Sequence, residues 1–146
     1  MGNVNMKLTF ESRLEILPAL GKAIRGICSC MIHDGLLLYQ IELCLIEAVS
    51  NVISHAYRNE AGHQIEVDVS IDRTLAVFTV IDTGLRNTKI LKKEFIFDPQ
   101  DINNLPESGM GLHIMFSIMD EVSFIEEQGK NITILKKLLN STHCKQ

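Results

Sequence analysis

Two strand-like segments joined by two turn residues set the tightest limit on what this chain can fold into. Ile65, Val67, Val69 and Ile71 alternate with polar residues, the period-two pattern of a strand with one buried face. Residues 75–82 form a more uniformly apolar run ending in Asp82, and Asp72-Arg73 between the two reads as a tight hairpin. The remaining segments must supply the layer that covers this sheet.

Residues 5–11 also alternate, with Met6, Leu8 and Phe10 set against Lys7, Thr9 and Glu11, and predict a half-buried strand. From about 15 to 33 the apolar positions Leu17, Leu20, Ile24, Ile27 and Met31 recur at helical spacing. Pro18 is tolerated only in a first turn, which places the helix start near Glu15 to Leu17, and Asp34-Gly35 breaks the pattern. A second helix is predicted over about 37–58 and a third over about 109–119. Strands follow near 121–127 and 131–137, joined by a turn at Gln128-Gly129. The order is β-α-α-β-β-loop-α-β-β, which predicts an α+β fold with helices on one face of a mixed sheet. Its 146 residues suit one domain spanning 1–146, with a core over about 5–138, and the 46% hydrophobic content is enough to fill that core.

Residues 83–108 show no sustained period, contain Pro99 and Pro106, and are long for a connection in a compact domain; loops of that length tend to be functional. With a net charge of −4, no Lys or Arg cluster makes a basic face, and direct nucleic-acid binding is not expected. Lys89, Lys92 and Lys93 come nearest, and Glu94 interrupts them. No apolar run approaches the roughly 18 residues that would span a bilayer, and the N-terminal segment lacks a signal-peptide core. No membrane partner and a cytoplasmic location are expected. Cys28 and Cys30, with His33 nearby, bring zinc to mind. On a helix, two residues of separation turn the thiols about 200° apart, so buried, reduced cysteines are the expectation.

On the second helix, at about 100° per residue, residues 40–58 divide into two faces. Ile41, Leu45, Ala48, Val49, Val52, Ile53 and Ala56 take one side, and Gln40, Glu47, Ser50, Asn51, Ser54, His55 and Arg58 the other. Apart from Arg58 the polar face has no Lys or Arg, so it lacks the Glu-to-Lys pairs of an ordinary solvated face. Instead a carboxylate, an amide and an imidazole line up at i, i+4 and i+8. A carboxylate can serve as a general base, and an amide oxygen is a hard donor suited to Mg²⁺. Downstream, Gly109-Met110-Gly111 opens a helix directly after the long loop. Free N–H groups and the positive end of the dipole gather there, and glycine lets a phosphate approach. Neither a P-loop nor a dinucleotide-binding glycine pattern is present.

Three segments together resemble a known family. Glu47-Ala-Val-Ser-Asn51-Val-Ile-Ser-His55-Ala-Tyr57 is similar to the N-box of the gyrase, histidine-kinase and MutL-type ATPases (the Bergerat fold). Ile81-Asp82-Thr83-Gly84 is similar to their first glycine box, and Glu107-Ser-Gly109-Met110-Gly111-Leu112, continuing through Met119-Asp-Glu-Val122, to their second. Within that superfamily the chain resembles the anti-sigma factor serine/threonine kinases, over about residues 10–138. The resemblance implies a two-layer α/β sandwich with a mixed, mostly antiparallel sheet and a long ATP lid. It implies ATP and Mg²⁺ as cofactors, an anti-anti-sigma protein as substrate, a sigma factor as second partner, and a homodimer.

Residue by residue, the resemblance makes Glu47 the base and Asn51 the Mg²⁺ ligand. Asp82 becomes the acceptor for the adenine amino group, and Gly84 the turn beneath the base. Gly109, Met110, Gly111 and Leu112 become the phosphate-binding helix start, with His55 and Tyr57 shaping the site. Two positions depart from the family pattern. Arg86 replaces the second glycine of Asp-x-Gly-x-Gly, and Gly129-Lys130-Asn131 stands where Gly-Thr is usual, so the Thr contact to the nucleotide pocket is missing. A non-catalytic, ATP-dependent binding module is the alternative function.

Overall fold

The hairpin that constrained the sequence reading is built as its residues dictate. Asp72 Oδ1 accepts hydrogen bonds from Thr74 N (2.7 Å), Thr74 Oγ1 (2.8 Å) and Leu75 N (2.9 Å), closing the turn. These bonds hold the Asp72 carboxyl below its ordinary pKa, backbone Thr74 foremost. The turn fixes a register in which Ile71 faces Ala76, Val69 faces Phe78 and Val67 faces Val80. All six side chains are buried on one face.

The structure, a computed structural model, describes residues 2–85, 110–140 and 143. Strand β1 (Val4–Glu11) leads through a 3₁₀ turn (Leu14–Ile16) into α1 (Leu17–Cys28). Helix α2 (Gly35–Asn51) continues directly into a π-helical turn (Val52–Ala56). Strands β2 (Gln64–Ile71) and β3 (Leu75–Asp82) form the hairpin; α3 (Met110–Ile118), β4 (Glu121–Glu127) and β5 (Lys130–Leu138) complete the described chain. The sheet order is β1-β2-β3-β5-β4. The fold is α+β, with α1, α2 and α3 contributing buried side chains to the core against the inner face of the sheet. All four strand pairings are antiparallel, so the parallel component of the expected mixed sheet does not occur among the described residues. Strands β1 and β2 run antiparallel although two helices separate them, because α1 and α2 are traversed as a pair.

Three local expectations are corrected. Helix α1 stops at Cys28 rather than near residue 33. Ser29 Oγ and Cys30 Sγ both donate to the Gly26 carbonyl, and the backbone tightens into i+3 bonds from Cys30 to Ile27 and Met31 to Cys28. Helix α2 begins earlier than expected, because Asp34 acts as its N-cap and accepts from Leu36 N (3.0 Å) and Leu37 N (3.1 Å). Cys30 is exposed in the turn, whereas Cys28 and Cys44 are buried free thiols whose pKa burial pushes up to about 12. Among the described residues no group of three or more His, Cys, Asp or Glu could hold a metal ion.

In β1, Leu8 and Phe10 pack on the core, but Met6 is 49% exposed because the strand lies at the sheet edge. The 22-residue segment Gly35–Ala56 is long and apolar enough to cross a membrane by length and composition, contrary to the expectation that no segment would be. Its apolar side, including Ile41, Leu45 and Val49, forms part of the core, the behaviour of a central helix in a folded layer.

Candidate functional site

The polar stripe of α2 meets the start of α3. Glu47 and Asn51 are both partly buried and lie one helical turn apart. A Cβ added at Gly111 would stand 2.5 Å from Glu47 Oε2, so the carboxylate rests against the first turn of α3 at a point that only glycine leaves open. That turn carries the N–H groups of a helix start. Leu112 belongs to it and buries its side chain in the core, fixing the turn in place. Met110 opens the helix, while Gly109 and Arg86 lie outside the described residues, as does 86–109 of the expected lid.

The helix changes its winding before it reaches His55. From Val52 to Ala56 the helix is π-wound, with Tyr57 N donating to Val52 O at 3.0 Å. His55 lies within this turn and is exposed, whereas Glu47 and Asn51 are partly buried. The same turn presents the Ala56 carbonyl to the end of β3. Leu85 N donates to Ala56 O at 2.9 Å, and a Cβ on Gly84 would meet Ala56 O at 2.5 Å and Ala56 C at 2.7 Å. Tyr57 clamps the same segment: its hydroxyl donates to Gln64 O (2.9 Å) and accepts from Thr83 N (2.9 Å). Its ring stacks on His63 at 4.5 Å.

Asp82 ends β3 and is 4% exposed. Its Oδ1 accepts from Asn131 Nδ2 at 2.8 Å and from Gly84 N at 2.9 Å, while Oδ2 accepts no hydrogen bond among the described residues. Burial pushes the carboxyl above its usual range, and the bonds from Asn131 and Gly84 oppose that shift. Asn131 Nδ2 also donates to Gly84 O at 3.0 Å. The residue that interrupted the family pattern thus occupies the position directly across the β3–β5 ladder from Asp82. Sequence reasoning marked Asn131 only as a departure. The β3–β5 pairing joins strands that are not consecutive, and no local pattern reveals it.

The model of the histidine kinase-like ATPase domain matches residues 10–137. The chain belongs to that family. Curated relatives of this histidine kinase-like ATPase include proteins named serine-protein kinase RsbW. The one from Bacillus mycoides is 28% identical over 138 residues, spanning 90% of this chain and 83% of the relative. Those from Bacillus cereus and Bacillus thuringiensis are 27% and 26% identical over the same shares. The family implies ATP as ligand, and the described residues fit an adenine nucleotide. Asp82 is a buried carboxylate with one oxygen left over, and Gly84 and Gly111 stand where any side chain would collide with its neighbours. A Mg²⁺ bound chiefly through phosphates needs only one or two protein oxygens, and the Asn51 amide offers one.

Proposed function

We propose that this ATPase-family protein is an ATP- and Mg²⁺-dependent protein serine/threonine kinase that phosphorylates an anti-anti-sigma protein and sequesters a sigma factor. The observation that carries the proposal is the Glu47 carboxylate held against Gly111 at the start of α3, one turn from Asn51. A binding module has no use for a base at that point. The names of the RsbW relatives support the same reading. The sigma and anti-anti-sigma partners and a homodimer follow from the resemblance of the three motifs, and a cytoplasmic location is proposed with them.

In this reading Asp82 Oδ2 accepts from the adenine amino group, and Gly84 keeps the space beneath the base clear. The start of α3, from Met110 to Leu112, would direct its N–H groups at phosphate oxygens, with glycine at 111 permitting close approach; Gly109 joins this role by resemblance alone. Asn51 would hold Mg²⁺. Bound ATP supplies the phosphoryl group and Mg²⁺ offsets the phosphate charge. Glu47 would orient the substrate hydroxyl and take its proton as that oxygen bonds to the γ-phosphorus, while the bond from the γ-phosphorus to the β–γ bridging oxygen breaks and ADP leaves. Positioning and charge stabilisation of this kind account for most of the catalysis in phosphoryl transfer.

The test is transfer of label from γ-labelled ATP, with Mg²⁺, to purified anti-anti-sigma proteins encoded beside this chain. Glu47→Ala is expected to bind ATP and transfer nothing. ATP-dependent partner binding that persists in Glu47→Ala, with no phosphoprotein formed by the unmodified protein, would refute the kinase and establish a non-catalytic module.

A further inference from the structure

Asn131 makes two hydrogen bonds with a single amide nitrogen. One goes to the buried Asp82 carboxylate at 2.8 Å, the other to the Gly84 carbonyl at 3.0 Å. The backbone ladder already sets the register here, since Asp82 and Asn131 are the last cross-strand partners of β3 and β5. The side-chain bonds are therefore additional to strand pairing. The consequence lies in what they do to the carboxylate. With Oδ1 taken by Asn131 and by Gly84 N, the group cannot spin about χ2 without breaking two bonds, and Oδ2 is the oxygen left to accept from a ligand.

The choice of a neutral amide is itself informative. A lysine or arginine opposite Asp82 would pair with the buried charge more strongly, but it would compete with the weak N–H donor of a neutral ligand. An amide orients the carboxylate and leaves its charge unneutralised. It also has two N–H donors where a threonine hydroxyl has one. This lets a single side chain hold both Asp82 and the carbonyl of Gly84, the residue from which the chain leaves β3. Gly84 is in turn pressed on Ala56, so the carboxylate, the turn and the end of the second helix form one unit.

We propose that Asn131 is a positioning residue for base selectivity, locking Asp82 so that one defined oxygen reads the amino group of the purine. The proposal rests on the adenine-binding reading of Asp82 given above. The experiment compares the affinity of the protein for ATP and for purine riboside triphosphate, which has the same ring and phosphates and lacks the amino group. The wild-type chain is expected to prefer ATP. Asn131→Ala should shrink that preference by about tenfold, the scale of one charge-assisted hydrogen bond, while affinity for the amino-free analogue changes little. Asn131→Leu fills the space without donating, and it serves if the alanine variant does not fold.

Equal weakening of both nucleotides would make Asn131 merely structural and overturn the proposal. So would full preference for ATP in either variant, with the adenine pocket left standing. Failure of both variants to fold would assign the residue to stability and reject it equally. A wild-type chain that binds both nucleotides alike would overturn the role of Asp82 itself, and this inference with it; a chain that binds neither would overturn the ATP reading as a whole.

Discussion

Substituting Gly111 by alanine should separate stability from catalysis in this chain. The new Cβ would lie 2.5 Å from Glu47 Oε2, 3.4 Å from its Cδ and 3.5 Å from its Cβ. Carbon atoms in contact prefer about 3.5–4.0 Å, so the clash is roughly 1 Å deep and confined to the carboxylate tip. That tip ends a flexible side chain, and rotating it away costs about 0.5–1.5 kcal/mol if it leaves its rotamer well. Alanine in a helix regains up to about 1 kcal/mol over glycine, less in a first turn. The two nearly cancel, and the midpoint of thermal unfolding should move by no more than about 5 °C. The displaced carboxylate, by contrast, would sit about 1 Å from the position proposed for the base, a misplacement that can cost about a hundredfold in rate. The assays are calorimetric unfolding, ATP titration and label transfer to the partner protein. Expected are an intact fold, ATP affinity within about tenfold, and transfer down roughly a hundredfold. Transfer within threefold of wild type in a folded variant would show that the Glu47–Gly111 contact does not set the catalytic geometry.

Gly84→Ala meets backbone instead of a mobile tip, with Ala56 O at 2.5 Å, Ala56 C at 2.7 Å and Ala56 Cβ at 2.8 Å, so it should destabilise by about 1–3 kcal/mol in urea unfolding. Asp82 has a raised pKa in the fold, from burial. Its contribution to stability is therefore full below the ordinary Asp value and is lost as pH rises through the folded value. Asp82→Asn should accordingly be more stable than wild type at neutral pH, with the difference vanishing in acid, while ATP binding is lost; urea midpoints across that range decide it. Of the three cysteines described, Cys30 is exposed, whereas Cys28 and Cys44 are buried with pKa about 12. Brief treatment of the native protein with iodoacetamide at pH 8 should label Cys30 and spare the other two, read by peptide mass spectrometry.

Much of this was legible in the residues. The hairpin and the buried alternation of β2 follow from local pattern, with Asp72 capping the turn by its own side chain, although the turn closes over Arg73-Thr74, one residue beyond the expected pair. Glu47 and Asn51 were found by helical spacing, which holds as long as the helix stays α. His55 was placed by the same spacing and lies in an exposed π turn, a winding that nothing in Val52–Ala56 announces. The early end of α1 reflects side chains competing for the Gly26 carbonyl, a contest that apolar periodicity does not register. Asn131 stayed hidden for a different reason: its meaning depends on which strand lies beside β3, and the neighbour is β5, the last strand of the described chain.

That strand order has a consequence for how the pocket comes into being. Asp82 and the amide that holds it are 49 residues apart, and α3, β4 and the whole intervening connection must be threaded before they meet. Non-local pairings of this kind form slowly, and synthesis delivers the N-terminal elements first. A nascent chain that has produced α1, α2 and the β2–β3 hairpin already carries Asp82, yet still lacks the amide that holds its carboxylate. On the proposed reading of Asp82, nucleotide selectivity arrives late, with the docking of β5, and a chain arrested before that strand should be blind to the base.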